Sequence, residues 1–203
     1  MKRHEIKQLL LDLNPQTVAE HSCFDHHVVG MDYLCLHRSD KLTVKLYFID
    51  PKHINAPAGD DLVIPHTHRY AFESTVLAGK LGHMQFEECG ATDHNAEEVE
   101  RFTYVPEAKT RIGGLQAHIR LIQSVDHRSH LNPSYWCDTK TIHTLAVPRE
   151  QVLLGLVQFA DTVPTSHVYL EKGGEMRFTE PRTMKPIDAW NMRNKALEMM
   201  EQG

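Results

Sequence analysis

Positive charge is scarce in this sequence: 22 Lys and Arg stand against 27 Asp and Glu, a formal net charge of -5. That balance argues against a broad cationic surface of the kind that holds a phosphate backbone or an anionic membrane. Cysteines are few as well. Cys23, Cys35, Cys89 and Cys137 are scattered and form no CxxC pair, so neither a disulfide framework nor a zinc ribbon is expected, and a reducing cytoplasm fits. Long apolar runs are missing too. The basic N-terminus, MKRHEIKQLLLDLNP, carries three leucines and then Asp12, too short for a signal core or a membrane span. Glycine-rich phosphate cradles are lacking, Gly113-Gly114 matching neither nucleotide pattern, and there is no GxSxG elbow.

What is present is an ordinary globular composition with one excess. The 203 residues are 41% hydrophobic and 24% charged, and a chain of this length buries roughly 70% of its unfolded surface, enough for one domain with a sizeable core. The excess is histidine: 15 of them. The count proves little by itself, since most must lie on the surface.

Helical patterns occupy the two ends. Residues 3–13 place Ile6, Leu9, Leu10 and Leu13 at helical spacing before Asn14-Pro15, and a second short helix is expected from Pro15 to about Ser22. Residues 186–202 form the third, with Asp188 as a candidate N-cap and Ile187, Trp190, Leu197 and Met200 as the apolar face. Between the ends lie strands: MDYLCLH and KLTVKLYFID as a hairpin, then LVIPHTHRY, ESTVLAG, KLGHMQFE, VERFTYVP, LQAHIRLIQSV, TKTIHTLAV and VLLGLVQFA. About nine or ten short strands are too many for one open sheet, which favours a closed barrel or a two-sheet jelly roll.

Within that pattern His66 and His68 lie two residues apart in a strand-like run and so project to one face, about 7 Å apart by the strand rise. Two such imidazoles can chelate one ion if the strand bends, and a third ligand from a neighbouring strand would complete one side of the coordination sphere. His143 in TKTIHTLAV is the best third ligand, with His83, His118, His127 and His130 as competitors. Edge-strand or satisfied core histidines are the competing interpretation. His26-His27 are read as loop residues without chemistry, and His127 and His130 as loop residues before Asn132-Pro133.

HTHRYAFESTVLAGKLGH resembles the first motif of the cupins, an HxH followed by a glutamate and a VLxG strand end, and TIHTLAV resembles the second, although Asp138-Thr139-Lys140 stands where PxG is usual. The resemblance covers roughly residues 30–160. It implies a mainly β, single jelly-roll barrel over 30–160, with an N-terminal helical segment (1–29) and a C-terminal extension with a helix (161–203), all in one domain of 203 residues. By the HxHxxxE spacing Phe72 takes the place of the fourth ligand and Glu73 falls one residue late, on the other face of a regular strand. The site is therefore expected to be three histidines with Phe72 as an apolar wall, Glu73 remaining a candidate fourth ligand if a bulge turns it inward.

Among metal cupins this arrangement is similar to the thiol dioxygenases, which carry Ser-x-His-x-Tyr on the strand after the third histidine. Here GLVQF offers Gly155, Val157 and Phe159 instead, and Tyr33-Leu34-Cys35 stands where those enzymes place an arginine shortly after a tyrosine on an early strand; Val157 and Phe159 are expected as pocket residues. Tyr135 is the candidate catalytic hydroxyl, with packing as the alternative, and Lys45, Arg69, Arg111 and Arg120 are candidate anion anchors. The resemblance implies a mononuclear non-haem Fe(II) oxygenase acting on a small organic anion with dioxygen, in the cytoplasm, and a homodimer. Two alternatives stay open: a non-redox isomerase, lyase or hydrolase using Zn, Mn or Ni, and a ligand-binding or sensor barrel without turnover.

Overall fold

The computed structural model describes residues 1–105, 110–174 and 179–202. Helices lie at both ends and antiparallel strands between them: α1 (Arg3–Leu11), α2 (Pro15–Ala19), β1 (Cys23–Phe24), β2 (Met31–Arg38), β3 (Leu42–Ile49), β4 (Tyr70–Ala78), β5 (Lys80–Glu88), β6 (Glu97–Val105), β7 (Thr110–Arg128), β8 (Ser134–Cys137), β9 (Ile142–Leu145), β10 (Val152–Asp161), β11 (Ser166–Glu171), β12 (Arg182–Thr183) and α3 (Pro186–Gln202). They form a seven-stranded sheet in the order β12-β1-β2-β3-β10-β4-β8 and a five-stranded sheet in the order β11-β6-β7-β5-β9. The two sheets curl into the expected mainly β jelly roll. Among the described residues no helix is long and apolar enough to cross a membrane.

The central strands of the seven-stranded sheet, β2, β3, β10 and β4, are covered on both faces, which explains why they read as almost unbroken apolar runs. One face, carrying Leu34, Leu46, Phe48, Leu77 and Leu153, packs under the three helices through Ile6, Leu10, Val18, Ala189, Met192 and Ala196. The other, carrying Tyr33, Tyr47, Ile49, Phe72, Val76, Leu154 and Leu156, closes on Leu81 and Leu145 of the second sheet. Gly155 on β10 lets α1 approach: a Cβ there would stand 2.7 Å from Ile6 Cδ1.

Four expectations need correction. The apolar face of α3 is only half the expected stripe: Met200 is buried and Leu197 packs against the core, but Ile187 is 59% and Trp190 41% exposed, and Ala189, Met192 and Ala196 take their place. Small side chains let α3 lie close to the sheet, and Trp190 instead stacks under the Arg193 guanidinium, 4.5 Å from its ring centroid. Asp188 sits within the first turn and accepts from the Lys185 backbone N–H at 2.9 Å, so it closes the cap rather than occupying it. The run LVIPHTHRY is no continuous strand. Only Asp61 and His66 make isolated bridges before β4 begins at Tyr70, because Pro65 has no N–H to donate. Strand pairing also continues past residue 160, β11 adding to β6 from Ser166↔Tyr104 to Glu171↔Val99.

Candidate metal centre

The segment that carries His66 and His68 fills the gap between β9 and β11. His66 exchanges both backbone hydrogen bonds with His143 (3.1 and 3.0 Å), Thr67 N–H donates to His167 O at 2.9 Å, and Tyr169 N–H donates to Pro65 O at 2.9 Å. Three residues later the chain has entered β4 of the other sheet. The HxH pair thus stands at a crossover, where the backbone departs from regular alternation. Its rings converge to a centroid distance of 4.6 Å, well inside the ~7 Å that a flat strand would give.

The ligating nitrogens of His66, His68 and His143 all lie within 4.8 Å of one another. His66 Nδ1–H donates to the Ile64 carbonyl at 2.7 Å, which leaves Nε2 with its lone pair, as metal-binding imidazoles require. His68 Nε2 and His143 Nε2 are 2.9 Å apart. Two nitrogens at right angles on one ion, each about 2.0–2.1 Å from it, stand about 2.9 Å apart; without an ion the same distance is one N–H···N hydrogen bond. Burial lowers the pKa of all three, His68 and His143 well below the ordinary value, so the rings are neutral donors near pH 7. Neutral, convergent imidazole nitrogens fit a divalent transition metal.

His143 is supported from behind. Its Nδ1 is 3.2 Å from His83 Nε2, and Cys137 Sγ lies 3.7 Å from the same His83 nitrogen. His83, Cys137 and His143 therefore form a second convergent group sharing one imidazole. Burial pushes the Cys137 thiol up to about 12, which suits a neutral packing neighbour better than a thiolate ligand. Sequence spacing could not single out His83 among its competitors; the signal was its place on KLGHMQFE, one face with Leu81.

The remaining expected residues are divided by strand parity. Phe72 is 1% exposed and lies edge-on to His68, centroids 4.8 Å apart, and 5.4 Å from His143. Glu73 faces the other way and pairs with the Met1 ammonium at 2.6 Å; β4 pairs β8 without a bulge there, so nothing turns it inward. Val157 is opposite Glu73 in register and shares its outward face. Phe159 lies against Trp136, centroids 5.4 Å apart. Neither lines the site; on β10 the inward residues are Leu154 and Leu156. Tyr135 stacks on His83 at 4.0 Å, so it acts on the centre through that ring. Burial raises its hydroxyl well above the usual range, opposed by the nearby Ser74 hydroxyl, whose buried Oγ has no partner at hydrogen-bonding geometry.

His127 is not in a loop but in β7, buried, its Nδ1–H donating to Asn132 O at 2.7 Å. His26 and His27 lie in the loop between β1 and β2, as expected, and the His26 ring packs inward, 5.0 Å from Tyr33 and 5.8 Å from Tyr47. Of the anion-anchor candidates, Arg69 pairs with Asp161 at 2.9 Å and Arg120 bonds Glu87 and Asp93; the Arg111 side chain lies outside the described residues. Lys45 faces inward.

No protein-family model matches the chain, and no curated protein matches it. Solved structures that it resembles include a cupin superfamily protein from Desulfitobacterium hafniense (10% identity over 64% of this chain and 76% of that one, TM-score 0.35). An RmlC-like cupin protein from Ralstonia eutropha matches at 10% identity over 96% of this chain and 92% of that one, TM-score 0.38. Hydroxypropylphosphonic acid epoxidase from S. wedmorenis matches at 13% identity over 70% and 56%, TM-score 0.37. The chemistry of the site stands on its own side chains.

Proposed function

We propose that the chain is a mononuclear non-haem Fe(II) enzyme of the oxygenase type, with His66, His68 and His143 as ligands and a small organic anion and dioxygen as substrates. The observation that carries this reading is the convergence of three neutral imidazoles, His143 buried and His66 and His68 half-buried, to within 4.8 Å with Glu73 turned away to Met1. A three-nitrogen set leaves the ion's charge uncancelled by protein, which favours an anionic substrate, and leaves coordination positions open. When bound, Fe(II) would supply a Lewis-acidic, redox-active centre at which substrate and dioxygen are held side by side.

The chain's own residues do the rest. Ile64 O holds the His66 tautomer, and the contact between His143 Nδ1 and His83 Nε2 orients the His143 ring, so both rings keep Nε2 directed at one point. Phe72 excludes water from one side of the site. Metal analysis after anaerobic purification, followed by oxygen-uptake traces against thiols, amino acids and hydroxy or keto acids, tests the reading. One equivalent of iron with substrate-dependent uptake is the expected result. Zinc, manganese or nickel with turnover but no uptake would replace it with a non-redox enzyme, and no metal at all would sink it.

A further inference from the structure

Lys45 sits in the middle of β3 on the face that looks into the barrel. Its cross-strand neighbour in register is Cys35 on β2, and Cys35 and Tyr47 belong to the inner cluster. The ammonium lies 5.5 Å from the Tyr33 ring centroid and 5.6 Å from that of Tyr70. The Tyr70 ring in turn stands 5.0 Å from the His68 ring. Lys45 and the three-histidine group therefore face one another across a single tyrosine.

No carboxylate answers this charge. Among the described residues Lys45 has neither an ion pair nor a hydrogen bond, only the two aromatic faces. Asp161, the acidic group whose field reaches it, is paired with Arg69 at 2.9 Å. The Cys35 thiol and the Arg38 cation also bear on it, and its own charge bears in turn on His26, His27 and His68. Burial holds the Lys45 ammonium down at about 8, low but still mostly charged near neutral pH. Lys45 is half-buried; a charge partly taken out of water without a partner is destabilising, and aromatic faces offset it only in part. Such a group is poised for an anion that arrives from outside.

We propose that Lys45 is the anion anchor of the site, binding the carboxylate of a small, flat organic acid whose other end reaches His66, His68 and His143. Tyr33, Tyr47, Tyr70 and Phe72 supply the aromatic walls that make the body of that acid flat and apolar rather than polyhydroxylated. The inference rests on the proposed metal centre for what happens at the far end, but the anchor itself needs no metal.

Benzoate and its neutral isostere benzamide are the probes, titrated calorimetrically into wild type, Lys45→Met and Lys45→Arg, each metal-free and metal-loaded. Wild type is expected to prefer benzoate at least tenfold. Lys45→Met should lose that preference while keeping its metal content, and Lys45→Arg should retain part of it. In wild type alone, benzoate should also slow acetylation of Lys45 by acetic anhydride severalfold, read by peptide mass mapping, which covers the case of a variant that does not fold. Benzoate binding that survives in folded Lys45→Met, or no protection of Lys45 in wild type, overturns the proposal. The two readings fail separately: Lys45-dependent benzoate binding in a protein that takes no metal removes the metal centre and keeps the anchor, and metal at the three histidines with an unchanged benzoate preference in Lys45→Met does the reverse.

Discussion

One position of offset separates Phe72 from Glu73, and strand parity turns it into opposite environments: a ring against two histidines and a carboxylate against the N-terminal ammonium. Glu73→Gln should therefore leave metal stoichiometry unchanged and lower stability by no more than about 1 kcal/mol, as expected for a partly exposed ion pair. Phe72→Ala should be destabilising by about 3–5 kcal/mol in denaturant unfolding, through the cavity it opens beside His68 and His143. The same parity was legible for Phe72 because the HxH spacing gave it a reference. It was not legible for Val157 and Phe159, since β10 is buried on both faces, with Leu153 under the helices and Leu154 in the barrel, and an apolar run of that kind carries no sign of which face is inward.

His26 gives a residue-level pH dependence. Burial, helped by the Lys45 charge, lowers its pKa to about 4, against 6.5 in the unfolded chain, and its surroundings are Tyr33, Tyr47, His27 and the Cys23 thiol. The unfolded state takes the proton first, so the stability this ring contributes is whole above pH ~6.5 and is lost as pH falls toward 4. Unfolding free energy measured at pH 5 should change with pH less steeply in His26→Gln than in wild type, by up to about 1.4 kcal/mol per pH unit. An unchanged slope would mean that the ring is not buried neutral.

At the scale of elements, two junctions hold the site strands in place. Gly79 joins β4 to β5 at φ +79°, and a Cβ there would run into the Gln151 carbonyl oxygen. Gly79→Ala should be destabilising by about 1–3 kcal/mol through left-handed strain and the clash, seen as a lower denaturation midpoint with the slope unchanged. The helices form the other junction. Arg3 donates to the carbonyls of Leu77 on β4 and Met200 on α3, tying both termini to the strand that leads out of the crossover. The boundaries of α3 could be read from Pro186 and the periodic pattern, and so could Leu197 and Met200 on its packed face. The first turns could not, because Ala189 makes the contact by being small, whereas hydrophobicity points to Ile187 and Trp190. The crossover segment escaped sequence reading for a related reason: apolar alternation through Val63 and Pro65 imitates a strand, whereas only the tertiary fold shows that its partners are β9 and β11.

For the molecule as a whole, the three histidines join parts of the chain that folding must first bring together. His66 and His68 come from the crossover between the sheets, and His143 comes from β9, 75 residues beyond His68. An ion held there would tie the crossover to β9 and, through the His143–His83 contact, to β5. The unfolded chain has no such site, so binding adds to the free energy of unfolding by RT ln(1 + [M]/Kd), about 2.7 kcal/mol at a hundredfold excess over Kd. For a domain of this size each kcal/mol moves Tm by about 2–4 °C. Calorimetry of the metal-free protein under anaerobic Fe(II), or under Co(II) as an air-stable substitute, should therefore show a Tm that climbs with metal concentration, by about 5–10 °C at that excess. His66→Ala and His143→Ala should lose most of that climb while remaining folded, and Cys137→Ser should keep it, because the thiol approaches only the supporting ring. A climb abolished by Cys137→Ser and preserved in His66→Ala would instead assign the metal to the group formed by His83, Cys137 and His143.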